Sequence, residues 1–195
     1  MGFAVNLVFP TGEFNNKTYP PTQSVTSPQN EGYDVGVGGH FTLSFPVDPH
    51  LALRLNLGYQ VCNGSNTASG YSKIDLQHQM FSIGGEMQFF VDSAYRHRGT
   101  YFIAGLSADF ERFERTYSTG DWHDYHDDGY YDDNTDTTRK SRMGAVAGIG
   151  HSFGYSQGGR FTLEATFHKT ISGNDVDKSE PPSTDFVKVS FGWVF

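Results

Sequence analysis

The sequence predicts an all-β protein, a single eight-stranded antiparallel up-and-down transmembrane β-barrel. Three observations carry that prediction. Apolar and polar residues alternate in eight separate segments. The connections between those segments are alternately long and short. The last segment, Phe186-Val187-Lys188-Val189-Ser190-Phe191-Gly192-Trp193-Val194-Phe195, alternates to the final aromatic residue.

Composition sets the outer bounds. A chain of 195 residues fits one domain, 1–195, and its 23 Gly, 17 Phe and 11 Tyr beside 18% charged residues favour strands and turns. No run approaches the roughly 20 apolar residues of a spanning helix, and the mean hydropathy is −0.49. A spanning strand needs only about 9–11 residues with every second one facing lipid, so alternation conceals the hydrophobic signal. The net charge of −8 leaves no basic stripe, which excludes a nucleic-acid partner. Cys62, the single cysteine, cannot form an internal disulfide and reads as a small residue near a strand end. Met1-Gly2-Phe3 leads straight into a strand pattern, so no signal peptide is seen and the sequence reads as a mature form with an added initiator Met.

Period two places the first strand at 2–9. The second, 33–45, sets Val35, Val37, Phe41, Leu43 and Phe45 against Asp34, Gly36, Gly38, His40, Thr42 and Ser44. The third, 51–61, separates completely: Leu51, Leu53, Leu55, Leu57, Tyr59 and Val61 face one way, and Ala52, Arg54, Asn56, Gly58 and Gln60 the other. Strands at 78–91, 100–113 and 142–153 follow. The seventh, 161–171, opposes Phe161, Leu163, Ala165 and Phe167 to Thr162, Glu164, Thr166 and His168, and 185–195 completes the set. Long polar connections fall at about 10–32, 62–77, 114–141 and 172–184, and short ones at 46–50, 92–99 and 154–160. Pro10, Pro20, Pro21 and Pro28 make the first long connection extended and projecting. Pro46-Val47-Asp48-Pro49 reads as a ladder-breaking turn, and the glycines from Gly154 to Gly159 supply permissive backbone. Long loops at one end and tight turns at the other place both termini on the periplasmic side.

A soluble barrel would also alternate, so the inward face must be identified. The polar face carries Gly36, Gly38, Gly58, Gly84, Gly148, Gly150 and Gly192, which suits the cramped interior of eight strands. The apolar face carries Phe45, Tyr59, Phe89, Phe102 and Phe110 near strand ends, where interfacial girdles sit. Polar-in, apolar-out is the membrane solution. With these features the chain resembles the small eight-stranded outer-membrane barrels of the outer membrane protein A transmembrane domain and outer membrane protein X type, over essentially its whole length. The resemblance implies a place in the bacterial outer membrane, among its lipids and lipopolysaccharide. It also implies that Phe191, Trp193 and Phe195 form the signal read by the barrel-assembly machinery. Such barrels include anchors, adhesins, complement-evasion factors and lipid-modifying enzymes, so the resemblance leaves the activity open.

Three groups of residues are candidates for function. Arg54, Arg142 and Lys188 share the predicted lumen with Glu86, Asp109, Glu111 and Glu164, and buried charges require pairing. They read as a salt-bridge network plugging a narrow barrel, with a proton or ion path as the alternative. The second group is the acidic stretch in the third long loop, where Asp121, His123, Asp124, His126, Asp127, Asp128, Asp132 and Asp133 could supply ligands to Ca²⁺ or Zn²⁺. Full EF-hand spacing and a cysteine pair are both missing, so the stretch reads first as a solvated acidic loop, with metal binding next and a surface for an extracellular protein partner presented by Trp122 and the tyrosines as the further alternative. No other cofactor is required. Third, His168, Thr170 and Glu180 are faintly similar to the His, Ser and Glu arrangement of the outer-membrane lipid A deacylases. Thr170 stands where that family has Ser, the following Asn is missing, and alternation turns His168 toward the lumen. The reading is therefore a non-enzymatic barrel displaying loops for adhesion, envelope anchoring or recognition. A deacylase-like enzyme and a small ion-conducting pore are the alternatives.

Overall fold

The computed structural model describes residues 1–14, 17–19, 29–68, 72–91, 99–119, 134–154, 159–171 and 183–195. In chain order these form β1 (Gly2–Pro10), a 3₁₀ turn (Gly12–Phe14), β2 (Lys17–Tyr19), β3 (Gln29–Glu31), β4 (Gly36–Asp48), β5 (Leu51–Ala68), β6 (Ser72–Phe90), β7 (Gly99–Thr119), β8 (Asn134–Phe153), β9 (Arg160–Thr170) and β10 (Phe186–Val194). Eight of the strands close into an antiparallel barrel in the order β1-β10-β9-β8-β7-β6-β5-β4, while β2 and β3 pair with each other. Closure runs from Gly2↔Val194 to Pro10↔Phe186, so the first and last strands remove each other's free edges.

Alternation sorts the wall as the sequence suggests. Val5, Leu55, Leu106 and Phe191 are 62%, 55%, 53% and 54% exposed, and large apolar side chains cover the outside of every barrel strand. Arg54, Glu86, Asp109 and Glu164 are buried inside. A soluble monomer rarely exposes more than a few hundred Å² of contiguous apolar surface, so this exterior is made for hydrocarbon. β9 and β10, at 11 and 9 residues, have the length of a spanning strand. The inside is tight enough to require glycine where side chains cross. A Cβ on Gly144 would lie 2.6 Å from Ser107 Oγ and 2.7 Å from Asp109 Oδ2.

Two features differ from the sequence reading. The described residues of the connections read at 62–77 and 114–141, namely 62–68, 72–77, 114–119 and 134–141, are strand, because β5 continues to Ala68, β6 begins at Ser72, β7 continues to Thr119 and β8 begins at Asn134. The cause is a reversal of amphipathic sense. Along β6, Ile83 faces out and Glu86 in. Further up, Ile74, Leu76 and Met80 are buried inside, while Asp75, Gln77 and Gln79 take the outer face. A strand that leaves the bilayer meets water, so its apolar side turns inward, and a template written for lipid stops at the reversal. The second difference is β4, which begins at Gly36 rather than 33 and runs through Pro46, paired with Ala52, to Asp48. A register shift between Pro46 and Asp48 accommodates the proline at a bulge.

The long strands are unequal partners. β4 ends at Gly36, and β9 pairs with β8 only as far as Gly144↔Thr170. β5 to β8 therefore stand above the rest of the wall as a four-stranded sheet, with β8 continuing about ten residues, or roughly 30 Å of strand, past its last β9 partner.

Candidate functional site: the filled lumen and its cap

The inward face supplies three layers. At the short-turn end Ala52, Phe90, Tyr101 and Ile103 pack together, and Ser44 Oγ donates to Gln88 Oε1 at 2.9 Å. Above them Arg54 reaches across the lumen. Its Nε donates to Glu86 Oε2 at 2.8 Å and its Nη2 to Glu164 Oε2 at 3.1 Å, with further direct contacts to both carboxylates. β9 lies opposite β5 in the closed order, so this guanidinium ties the two walls together. Tyr101 donates its hydroxyl to Glu164 Oε1 at 2.6 Å, satisfying another carboxylate lone pair.

The next cluster centres on His168. Its Nε2 lies 2.9 Å from Asp109 Oδ2 and 3.2 Å from Ser107 Oγ, its Nδ1 lies 3.1 Å from the Thr184 carbonyl, and its ring stacks on Phe186 at 4.5 Å. Arg142 Nη1 approaches Glu111 Oε2 at 3.5 Å, and the Thr184 hydroxyl donates to Glu111 Oε1. The seven charges read from sequence thus share one lumen but separate into clusters, with Asp109 paired to His168. Lys188 makes no ion pair among the described residues. It lines a cavity of about 30 Å³ with Asn6, His40, Asn56, Glu86 and Asp109, a polar space large enough for water to solvate an ammonium.

A hydrophobic cap closes the top. Phe14, from the 3₁₀ turn, meets Tyr33 at 4.7 Å and His78 at 4.9 Å, and His78 meets Phe113 at 4.6 Å. Val8, Cys62, Ile74, Leu76, Met80 and Phe186 complete the cluster. Tyr33 N donates to the Phe14 carbonyl at 3.2 Å, and Asp34 N to the Asn63 carbonyl at 2.7 Å, which holds the turn over the mouth. Sequence reasoning missed this cap, because Phe14 falls in the proline-rich stretch read as projecting. The available signal was the run of apolar residues at Ile74, Leu76 and Met80, in phase with the inward Glu86.

The remaining candidates are placed as follows. Asp121, His123, Asp124, His126, Asp127, Asp128, Asp132 and Asp133 lie outside the described residues. Among the described residues no group of three or more His, Cys, Asp or Glu side chains is arranged to hold a metal ion. Phe191 faces outward, Trp193 packs edge-on against Phe161 at 4.3 Å, and Phe195 is exposed with its backbone N–H on the Met1 carbonyl at 2.9 Å. Thr170 Oγ1 lies 3.0 Å from Thr184 Oγ1, and Glu180 is outside the described residues. Ser107, His168 and Asp109 have the composition of a hydrolytic triad but not its wiring. Serine and aspartate share one ring nitrogen instead of taking one each, and all three are sealed in the lumen.

Among solved structures, the chain is similar to the attachment invasion locus protein of Yersinia pestis, with 8% identity, 99% of this chain and 95% of that chain covered, and a TM-score of 0.46. No family model matches the chain, and no curated protein matches it in sequence.

Proposed function

We propose that the protein is a non-enzymatic barrel of the bacterial outer membrane whose β5–β8 sheet presents recognition segments to the outside. The carrying observation is the unequal wall: four consecutive strands run past their neighbours and carry the ends of β5, β6, β7 and β8 above the apolar band. Rigid sheet beneath variable connections is the usual arrangement for a binding surface. The packed lumen supports a plug over a pore, since Arg54 spans it and Phe14, Tyr33, His78 and Phe113 fill its mouth. The inward, fully engaged ring of His168 supports a non-enzymatic wall over a deacylase. In this reading lipid and lipopolysaccharide surround the apolar band, the assembly machinery takes up the strand ending at Phe195, and an extracellular partner meets the acidic 120–133 connection, with or without a divalent cation.

The test uses bacteria displaying the full chain, a variant with residues 121–132 replaced by a Gly-Ser linker, and an empty vector. All three are assayed for adherence to an epithelial monolayer at matched surface levels. The expected result is adherence with the full chain and its loss in the linker variant. Equal adherence in all three contradicts a recognition role.

A further inference from the structure

Where the amphipathic sense reverses, two rows of side chains cross the outer face of the wall. The last apolar row is Phe81 and Phe110, opposed in register with ring centroids 6.2 Å apart, and Tyr59 continues it on β5. One row further out, Gln79, Arg112 and Arg139 stand side by side on β6, β7 and β8. Arg112 and Arg139 are direct cross-strand partners, and both point outward, since Glu111 and Arg142 of opposite phase on the same two strands are buried inside. Opposed side chains on one face have Cβ atoms about 4.5–5.5 Å apart, and like charges at that spacing destabilise the sheet. Arg112 is offset by Glu114, which stands one row further out and accepts from its Nη2. Arg139 is exposed and makes no ion pair among the described residues. It also has no described β9 residue beside it, because that ladder ends at Gly144↔Thr170. In a chain of net charge −8, the row nearest the apolar band therefore carries two cations, and the carboxylates of Glu114 and Asp75 lie one and two rows beyond it.

We propose that Arg112 and Arg139 bind the phosphate of an outer-leaflet glycolipid whose acyl chains lie against Phe81 and Phe110. The proposal rests on the outer-membrane reading above. A guanidinium presents paired N–H donors in a rigid fork, and the three free oxygens of a phosphate monoester serve two forks at once where a carboxylate has only two. An anion between them turns the repulsion across the ladder into a shared counter-charge. Position selects a lipid over a soluble anion. The row immediately above the aromatic side chains of a spanning wall lies at the depth of the headgroups, so a phosphate held there leaves its acyl chains alongside the apolar band.

The experiment uses the full chain refolded in micelles of a zwitterionic detergent and mixed with bisphosphorylated lipid A or with the same lipid after phosphatase treatment. Lipid retained per chain is read by native mass spectrometry, and heat-modifiable gel migration checks the folding of every variant. The phosphorylated lipid should be retained in preference to the dephosphorylated one, and Arg112→Gln and Arg139→Gln should each lower its retention about fivefold. Glu114→Gln, which releases Arg112, should raise retention, whereas Asp75→Asn, the same charge change two rows out, should leave it unchanged. Equal retention of the two lipids overturns the proposal, as does full retention in both arginine variants. Displacement of lipid A by soluble glucosamine phosphate would make this a free-phosphate site, and displacement by a heparin fragment a site for an extracellular glycan; either result overturns the lipid assignment. Insertion of the native chain into phosphatidylcholine vesicles is measured separately by protease protection. A chain that does not insert contradicts the outer-membrane reading itself, whereas one that inserts without discriminating between the lipids contradicts the phosphate site alone.

Discussion

Arg54 sets the charge balance of the lumen, because one guanidinium answers two carboxylates from strands on different sides of the barrel. Removing it leaves Glu86 and Glu164 buried and uncompensated, a situation that costs about 3–5 kcal/mol. Arg54→Met should therefore lower folded stability in micelles by about that amount, measured by urea titration, and adding Glu86→Gln and Glu164→Gln should restore most of it. A single variant as stable as the native chain would mean that the pairing across the barrel does not hold the wall. His168 shows the same economy with weaker partners: both ring nitrogens face acceptors and one ring face is covered by Phe186. Gly144 is part of this cluster because its missing Cβ leaves room for Ser107 and Asp109 to reach the ring.

Within each strand, position relative to the bilayer decides what a side chain costs. Leu55 sits mid-strand on the outer apolar face of β5, where an arginine at bilayer depth costs about 2–4 kcal/mol. Ser65 occupies the same outward face of the same strand, above the reversal, where arginine meets water and should change stability by less than about 0.5 kcal/mol. Unfolding titrations of Leu55→Arg and Ser65→Arg in lipid vesicles check both, and equal costs would contradict the placement of the boundary. Strand positions and facing were legible in the sequence, since Leu51 to Val61 alternate without a break and a one-residue slip would invert them all. The upper halves of β5 to β8 were not, because Ile74, Leu76 and Met80 keep the period and reverse its sense. Arg54 and Glu86 are cross-strand partners by register, whereas the contact to Glu164 depends on which strands face each other across a closed barrel. No local pattern encodes that. Phe14 was illegible for a different reason, since a single apolar residue among polar and proline neighbours carries no period.

At the scale of the whole molecule, two environments are written into one continuous sheet. The lower part is inside out, with Arg54, Glu86 and Glu164 enclosed by a leucine- and phenylalanine-rich exterior. The upper part is built as a water-soluble structure, with Phe14, Tyr33, Leu76 and Phe113 enclosed by Gln77, Gln79 and Ser65. The hydrophobic effect drives both, and only the solvent outside the wall changes. The most direct test is nitroxide accessibility in bilayer vesicles, with labels placed singly at Leu55, Ile83 and Ile149 and at Ser65 and Thr137 in a Cys62→Ser background. The first three labels should collide more with lipid-soluble oxygen than with a water-soluble nickel complex, and the last two should show the reverse. A nickel complex that reaches Leu55 and Ile149 as readily as Ser65 would contradict a membrane-spanning wall.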